Sequence, residues 1–270
     1  MSDEFRLVAI DLDGTLLRTD KRLSKRTVAV IQEASRQGVK VVIASARPPR
    51  STTGIYQALG LDTLQVNYNG ALILDLPRSR YALHLTLCNK LARRIVDRIR
   101  GMDPDVEVQV EVLDRWLTDR HDPASPFITE TAKTHPPDFV GSMDRCLAEP
   151  LTKLMFLASP QRMSAIRAVV RAEFGAECAL FITDDYLLQI CHPSVEKWVG
   201  VAWVARHYGI EPAQVMAIGD APNDAAMLKW AGLGVAVENA WPEAREAADV
   251  VVPSNDDDGV AEAVRRYLLA

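Results

Sequence analysis

The chain has 270 residues, of which 48% are hydrophobic and 25% are charged. These values favour a soluble globular protein with one large domain, or a core that carries an insertion, over a small module. The 31 basic and 36 acidic residues give a formal net charge of −5, so neither nucleic acid nor an anionic membrane is expected as a partner.

The first part of the chain alternates short apolar runs with helical patterns. Runs over 7–10 and 39–44 predict strands that end at Asp11 and Ser45, and helical spacing over 26–37 separates them. A further helix and a third short run follow in the same order. The alternation predicts βαβ units and a parallel sheet that is buried on both faces.

The pattern changes after about Tyr81. A helical stretch over 86–100 precedes residues 106–112, which alternate as a strand with one exposed face does. Residues 120–137 are polar and contain prolines, which predicts a long loop or irregular excursion. Strand and helix patterns then continue, so residues 83–190 are predicted to form an inserted α+β domain.

The initial pattern returns in the last part of the chain. A helix begins at Lys197, and a strand over 215–218 ends in Gly219–Asp220. We therefore predict an α/β fold with a doubly wound parallel sheet. Residues 1–82 and 191–270 would form this core, and the α+β domain would interrupt it.

No membrane, secretion or metal-cysteine signal is found in the sequence. Apolar runs stay well below the roughly 20 residues of a membrane helix. The opening segment Met1–Phe5 lacks the basic and apolar regions of a signal peptide. The four cysteines form no CxxC pair, so neither a zinc site nor a disulfide framework is predicted. The sequence thus predicts a cytoplasmic protein with free thiols.

Polar side chains collect where the predicted strands end. Each of them alone is most simply a turn or cap residue. The carboxyl ends of parallel strands meet at one edge of a sheet, however, so together they predict a binding site there. The strand-end members of this set are Asp11, Asp13, Ser45, Asp220, Asn223 and Asp224, and Lys197 joins them from the start of the returning segment.

The residue types in this set suit phosphoryl transfer. Phosphate monoesters hydrolyse very slowly without a catalyst, and attack on a phosphate dianion by a carboxylate requires charge neutralisation. Mg²⁺ binds through one or two carboxylates plus substrate phosphate, so Asp11 and Asp220 are predicted anchors, supported by Asp224 or Asn223. Asp13 suits a general acid that later acts as a general base.

Two hydroxyls and one ammonium complete the predicted site. Thr15 and Ser45 can donate hydrogen bonds to phosphoryl oxygens, and Lys197 supplies a point charge suited to phosphate. Gly14 permits a sharp exit of the backbone after the acidic pair. The alternatives are helix caps for the two hydroxyls and a solvated surface position for the lysine.

Four segments resemble the four motifs of the haloacid dehalogenase superfamily. They are Asp11–Leu17, Ser45–Arg47, Lys197 and Gly219–Asp224. The insertion resembles the type II cap of the Cof-like sugar-phosphatase subgroup, subfamily IIB, and residues 69–71, 238–240 and 258–260 resemble its accessory signatures. Ala46 and Trp198 stand where many relatives have glycine.

The resemblance implies a Rossmann-like core with a cap, and a Mg²⁺-dependent phosphatase that acts on a sugar phosphate or similar small ester. It makes Asp11 the nucleophile that forms an aspartyl-phosphate, with Asp13 as acid/base and Lys197 as the stabilising charge. The implied phosphate-binding residues are Thr15, Ser45, Lys197 and Asn223, and the implied metal-binding residues are Asp11, the Asp13 carbonyl, Asp220 and Asp224.

Two other functions remain open from the sequence. A phosphosugar mutase would use the same phospho-aspartate, and the motifs do not separate it from a phosphatase. A receiver-like phospho-acceptor also groups acids, a hydroxyl and a lysine at strand ends, but such proteins need only one small domain. The expected partner is a small phosphate ester, and the chain is expected to be a monomer or a weak homo-oligomer.

Overall fold

The computed structural model describes residues 5–127, 129 and 131–269. Most of the opening segment assessed for a signal peptide, and two positions of the predicted excursion, therefore lie outside the described residues. The chain divides into two compact units. The core unit comprises Met1–Leu83 and Glu196–Ala270, and the inserted unit comprises His84–Val195.

The first part of the chain forms the beginning of the core unit. Its elements are β1 (Leu7–Ile10), α1 (Lys25–Arg36), β2 (Lys40–Ile43), α2 (Pro49–Leu59), β3 (Gln65–Asn67), β4 (Leu72–Asp75) and β5 (Arg80–His84). Helix α1 begins where the Ser24 side chain accepts a hydrogen bond from the Thr27 N–H. Helix α2 ends at Gly60, whose φ of 67° is easily reached only by glycine.

The inserted unit is an α+β structure, as its sequence pattern predicts. Its elements are α3 (Asn89–Met102), β6 (Glu107–Val112), β7 (Arg115–Thr118), β8 (Phe139–Val140), α4 (Met143–Cys146), β9 (Lys153–Leu157), α5 (Pro160–Phe174), β10 (Ala179–Asp184) and β11 (Leu187–Cys191). The sheet order is β10-β11-β9-β6-β7-β8. Alternate residues of β6 such as Val108 and Val110 pack with Ile95 and Ile99 of α3 in one apolar cluster.

The last part of the chain completes the core unit. Its elements are α6 (Lys197–His207), β12 (Val215–Gly219), α7 (Ala225–Trp230), β13 (Leu233–Val237), α8 (Pro242–Ala247), β14 (Val250–Val252) and α9 (Gly259–Leu268).

The main sheet of the core unit is parallel, with the order β14-β13-β12-β1-β2. Strand β1 lies between β12 and β2, so that Ala9 pairs with both Ala217 and Val42. All four residues of β1 are fully buried, as the continuous apolar run of a two-sided parallel strand requires. The Asp11 N–H continues the ladder to the Ile218 carbonyl at 2.9 Å, which brings the loops after β1 and β12 side by side.

The third predicted strand departs from the parallel arrangement. Strand β3 pairs antiparallel with β4 in a small sheet with β5, and it meets the main sheet through one isolated parallel bridge between Ala44 and Val66. The cause is the turn that follows β3. Tyr68, Asn69 and Gly70 have φ values of 50°, 54° and 95°, and this left-handed stretch turns the chain back into a hairpin.

The four cysteines are free thiols. Cys88 is exposed at the start of α3, where the N–H groups of Leu91 and Lys90 lower the pKa of its thiol. Cys146, Cys178 and Cys191 are buried. Among the helices of the described residues, none has both the length and the apolar character needed to cross a membrane.

Candidate active site

Three buried carboxylates meet at the carboxyl edge of the parallel sheet. Asp11 follows β1, Asp220 follows β12, and Asp224 ends the short helical turn after Asp220. Each contributes one oxygen to a group in which these atoms lie within 4.8 Å of one another. Their exposed fractions are 6%, 7% and 0%. The sequence-predicted acids of the first and fourth motifs are therefore brought together.

Lys197 joins this cluster from the first turn of α6. Its Nζ lies 2.7 Å from Asp11 Oδ1 and 2.5 Å from Asp224 Oδ1, and the side chain is 1% exposed. Burial alone would lower the lysine pKa, but the two carboxylates outweigh it and raise the pKa above its ordinary value. Lys197 is a buried ammonium, so the solvated surface alternative is excluded.

The charges within the cluster do not balance. Burial, and secondarily repulsion from Asp224 and Asp220, raises the pKa of Asp11 well above its ordinary value, although Lys197 opposes this. Burial and Asp224 likewise raise the pKa of Asp220. Three carboxylates against one ammonium leave two negative charges when all are ionised. This oxygen-rich, electron-rich donor set fits a hard divalent cation.

Backbone groups fix the orientation of Asp224. Its Oδ2 accepts hydrogen bonds from the Asp220 N–H at 3.2 Å and the Ala221 N–H at 3.0 Å, while Oδ1 accepts from Lys197. Gly219 makes this close approach possible, because a Cβ there would lie 2.6 Å from the Asp224 Cβ. Both oxygens of Asp224 thus have protein donors, and the residue orients Lys197 as much as it adds charge.

The turn after Asp13 packs against Asp220. Thr15 Oγ1 donates a hydrogen bond to Asp220 Oδ1 at 2.7 Å. Gly14 has a φ of 81°, and a Cβ at this position would overlap Asp220 Oδ2. The predicted requirement for glycine is therefore both conformational and steric.

Asp13 is bound by two cations. Arg47 Nε and Nη2 donate to Asp13 Oδ2 and Oδ1 at 2.7 and 2.5 Å, and Lys21 Nζ donates to Oδ1 at 2.8 Å. Burial would raise the Asp13 pKa, but the hydrogen bonds from Arg47 and Lys21 outweigh it and hold the pKa below its ordinary value. In this arrangement Asp13 is a carboxylate. Neither cation had been assigned a role from the sequence, although Arg47 lies inside the second motif.

Ser45 is buried at the end of β2, beside the turn that follows β3. Its Oγ accepts the Arg47 N–H at 3.1 Å, and its carbonyl accepts the Asn69 N–H at 3.0 Å. The Asn69 side chain in turn accepts a hydrogen bond from Asn223 Nδ2 at 3.0 Å. Asn223, predicted to bind phosphate, therefore binds Asn69, whose role was missed. The Asn69–Gly70 pair, a strong turn signal, was the available clue.

Trp198 lies next to Lys197 but is held by other groups. Its Nε1 donates to Glu196 Oε2 at 2.6 Å, and its ring lies 6.4 Å from that of Trp230. The close approach of this helix to the rest of the site occurs at Gly200, where a Cβ would lie 2.8 Å from the Gly70 Cα.

The sequence matches a known family and known proteins. Residues 8–264 match the family described as haloacid dehalogenase-like hydrolase. The chain is 31% identical over 269 residues to 5-amino-6-(5-phospho-D-ribitylamino)uracil phosphatase YitU of Bacillus subtilis, with 97% of each chain covered.

Solved structures share the fold. A haloacid dehalogenase-like hydrolase from Bacteroides thetaiotaomicron matches with a TM-score of 0.86 at 24% identity, covering 97% of this chain and 99% of that chain. The HAD subclass IIB sugar phosphatase BT4131 matches with a TM-score of 0.81 at 17% identity, covering 98% and 100%. The predicted fold class is thereby confirmed.

Proposed function

Because the chain belongs to the haloacid dehalogenase-like hydrolase family, we propose that it is a Mg²⁺-dependent phosphatase that cleaves a small phosphate monoester through a phospho-aspartate. The observation that carries the proposal is the 2.7 Å contact between Lys197 Nζ and Asp11 Oδ1, inside a buried group of three carboxylates. A buried carboxylate that is held by an ammonium beside a divalent-cation site suits attack on phosphorus.

Asp11 is the proposed nucleophile. Asp11, the Asp13 carbonyl, Asp220 and Asp224 would hold Mg²⁺, which when bound supplies positive charge to the carboxylates and to the phosphoryl oxygens. Lys197 favours the ionised form of Asp11, which is the form that attacks. An Asp11 oxygen forms a bond to phosphorus while the ester oxygen leaves.

Asp13 is proposed to move the protons. In the first half of the reaction it acts in its protonated form, with a proton taken up from solvent, and gives that proton to the departing ester oxygen. In the second half it takes a proton from the water that attacks the phospho-aspartate, and inorganic phosphate is released. The ionised Asp13 that Arg47 and Lys21 hold matches the form needed for this second half.

The two hydroxyl groups are assigned by the hydrogen bonds that they make. Ser45 Oγ accepts the Arg47 N–H, so its own proton is free to be donated to a phosphoryl oxygen. Thr15 donates its proton to Asp220, so we assign it first to the orientation of that carboxylate and then to phosphate binding. Lys197 and Asn223 complete the proposed phosphate-binding set.

The two domains are proposed to have different roles in the reaction. The core unit would carry the chemistry, and the inserted unit would select the leaving group. The proposed partner is thus a small-molecule phosphate ester in the cytoplasm.

The test is a substrate panel with Mg²⁺ and phosphate release as the readout. Phosphorylated sugars, nucleotides and pyridoxal phosphate would be assayed, together with the phosphoribitylamino-uracil for which the Bacillus subtilis relative is named. Asp11→Asn should abolish phosphate release, whereas the same change at the exposed Asp62 should not. Equal rates for Asp11→Asn and wild type would contradict the mechanism, and an isomeric phosphosugar in place of phosphate would indicate a mutase.

A further inference from the structure

One turn contacts both loops that carry the acidic cluster. This bridging turn, residues 238–241, follows β13 at the carboxyl edge of the sheet. Asn239 Nδ2 donates to the Gly14 carbonyl at 2.8 Å, and the Trp241 N–H donates to the Asp220 carbonyl at 2.8 Å. The bridging turn therefore spans the loop after β1 and the loop after β12.

A second asparagine, Asn255, fixes the orientation of the Asn239 side-chain amide. The Asn255 N–H donates to Asn239 Oδ1 at 2.9 Å, so the amide nitrogen of Asn239 must face Gly14. Asn255 is 7% exposed, and its own Nδ2 donates to the Leu17 carbonyl at 2.9 Å. Two carbonyls of the turn that follows Asp13 are thus held from the C-terminal part of the chain.

These contacts act where the two loops pack against each other. Gly14 occupies a position in which even a Cβ would overlap Asp220, and Thr15 donates to the same carboxylate. Movement of the Gly14 carbonyl would therefore shift Asp220 relative to Asp11. A divalent cation binds well only when its carboxylates are held at a fixed separation, and Mg²⁺ is demanding in this respect.

We propose that Asn239 and the Trp241 N–H are positioning groups that set the separation of Asp11 and Asp220 and so set the affinity of the acidic cluster for a divalent cation. Both groups donate to backbone carbonyls, those of Gly14 and Asp220. The inference rests on the proposed function, in which that cation is Mg²⁺, and it goes beyond it by assigning metal affinity to a turn outside the four motifs.

The first test removes the side-chain donor without changing charge. Mg²⁺ binding to the full-length protein would be measured by calorimetry, without substrate, for wild type, Asn239→Ala and Asn89→Ala. Asn89 makes the same type of bond, from Nδ2 to the Leu147 carbonyl at 3.0 Å, but in the inserted unit. Loss of one such hydrogen bond should weaken Mg²⁺ binding about fivefold in Asn239→Ala, while Asn89→Ala should bind as wild type does.

The second test removes the backbone donor. Trp241 has a φ of −64°, which proline also adopts, and is 59% exposed, so Trp241→Pro removes the N–H and the indole. Trp241→Ala removes the indole alone and is the matched control. Trp241→Pro should weaken Mg²⁺ binding about fivefold relative to Trp241→Ala.

A purely structural role would give a different pattern. It would lower the metal-free Tm of Asn239→Ala and Trp241→Pro and leave their Mg²⁺ dissociation constants within about twofold of the controls, and this result would overturn the inference. If wild type bound no Mg²⁺, the inference and the proposed function would fail together. Unchanged Mg²⁺ affinity in the two variants, with phosphatase activity in wild type, would overturn the inference alone.

Discussion

Arg47 donates two parallel hydrogen bonds to Asp13, from Nε to Oδ2 at 2.7 Å and from Nη2 to Oδ1 at 2.5 Å. This fork fixes the plane of the carboxylate as well as its charge. The arginine that follows the second-motif hydroxyl therefore orients the proposed acid/base, which lies in the first motif.

Replacing Arg47 with lysine should separate orientation from charge. A lysine keeps the positive charge but offers no planar pair of donors, so Asp13 can rotate. We expect kcat to fall about tenfold, with KM changed less than about threefold. Steady-state kinetics with saturating Mg²⁺ check this. Arg80→Lys, which alters an arginine paired with Asp75 in the same unit, is the control and should retain wild-type kcat.

Replacing Gly14 with alanine should inactivate the site through a steric clash, and the same change at Gly209 separates this clash from backbone strain. Gly14 and Gly209 both have positive φ, at 81° and 64°, so alanine strains either backbone by about 1 kcal/mol. Only Gly14 adds an overlap with Asp220, since nothing lies within 4 Å of a Cβ on Gly209. We expect Gly14→Ala to lose at least about 100-fold in kcat/KM, and Gly209→Ala to lose stability alone. Comparable activities in the two variants would contradict the steric argument.

Removal of the buried ammonium should affect stability as well as rate. Lys197→Met leaves Asp11 and Asp224 without their shared partner, and breaking a buried ion pair from one side costs about 3 kcal/mol. We expect that loss in the free energy of unfolding in urea with EDTA present. The same change at the exposed Lys229 should cost less than about 0.5 kcal/mol. A Lys197→Met protein as stable as wild type would contradict the assignment of a buried, paired lysine.

His84 should make the stability of the protein depend on pH. Burial lowers its pKa, and its Nε2 lies 2.8 Å from Thr152 Oγ1. The unfolded chain takes up this proton near pH 6.5, whereas the folded chain takes it up only at lower pH. Between these values the unfolded state binds more protons, so stability falls as the pH drops below about 6.5.

The His84→Gln variant tests this assignment, because glutamine does not titrate and can still hydrogen-bond to Thr152. The decrease in unfolding free energy between about pH 7.5 and about pH 5.5 should be smaller in the variant than in wild type. Equal decreases in unfolding free energy for the variant and wild type would show that a group other than His84 causes the loss of stability at low pH.

Much of the fold could be predicted because its core strands are continuous apolar runs. Strands β1 and β12 are completely buried, and β2 is buried after Lys40 at its start, so apolar residues run without a break up to the end of each strand. The polar residue at each end then marks the sheet edge. This is why Asp11 and Asp220 could be expected near one another before their contacts were seen.

The hydrogen bonds within the site could not be predicted in the same way. The Arg47–Asp13 fork and the Asn239–Gly14 contact join residues 34 and 225 positions apart, and each depends on one side-chain rotamer and one loop conformation. The sequence pattern did not predict strand β4. The run that forms β3 fits a parallel strand, and the pattern does not show that the turn at Tyr68–Gly70 folds the chain back into an antiparallel pair. Short elements such as β8 and α4 carry too few residues for a periodic pattern. The catalytic and metal-binding roles stay predictions.

The uneven burial of the cysteines provides a natural labelling site. Thiolates, not thiols, react with alkylating reagents. Burial raises the pKa of Cys146 and Cys178 to about 11 and that of Cys191 to about 12, whereas Cys88 is exposed and its pKa is lowered. A maleimide fluorophore at neutral pH should therefore attach at Cys88 first. The wild-type protein can thus carry one fluorophore on its inserted unit without any engineered substitution. Its fluorescence would report on that unit during turnover.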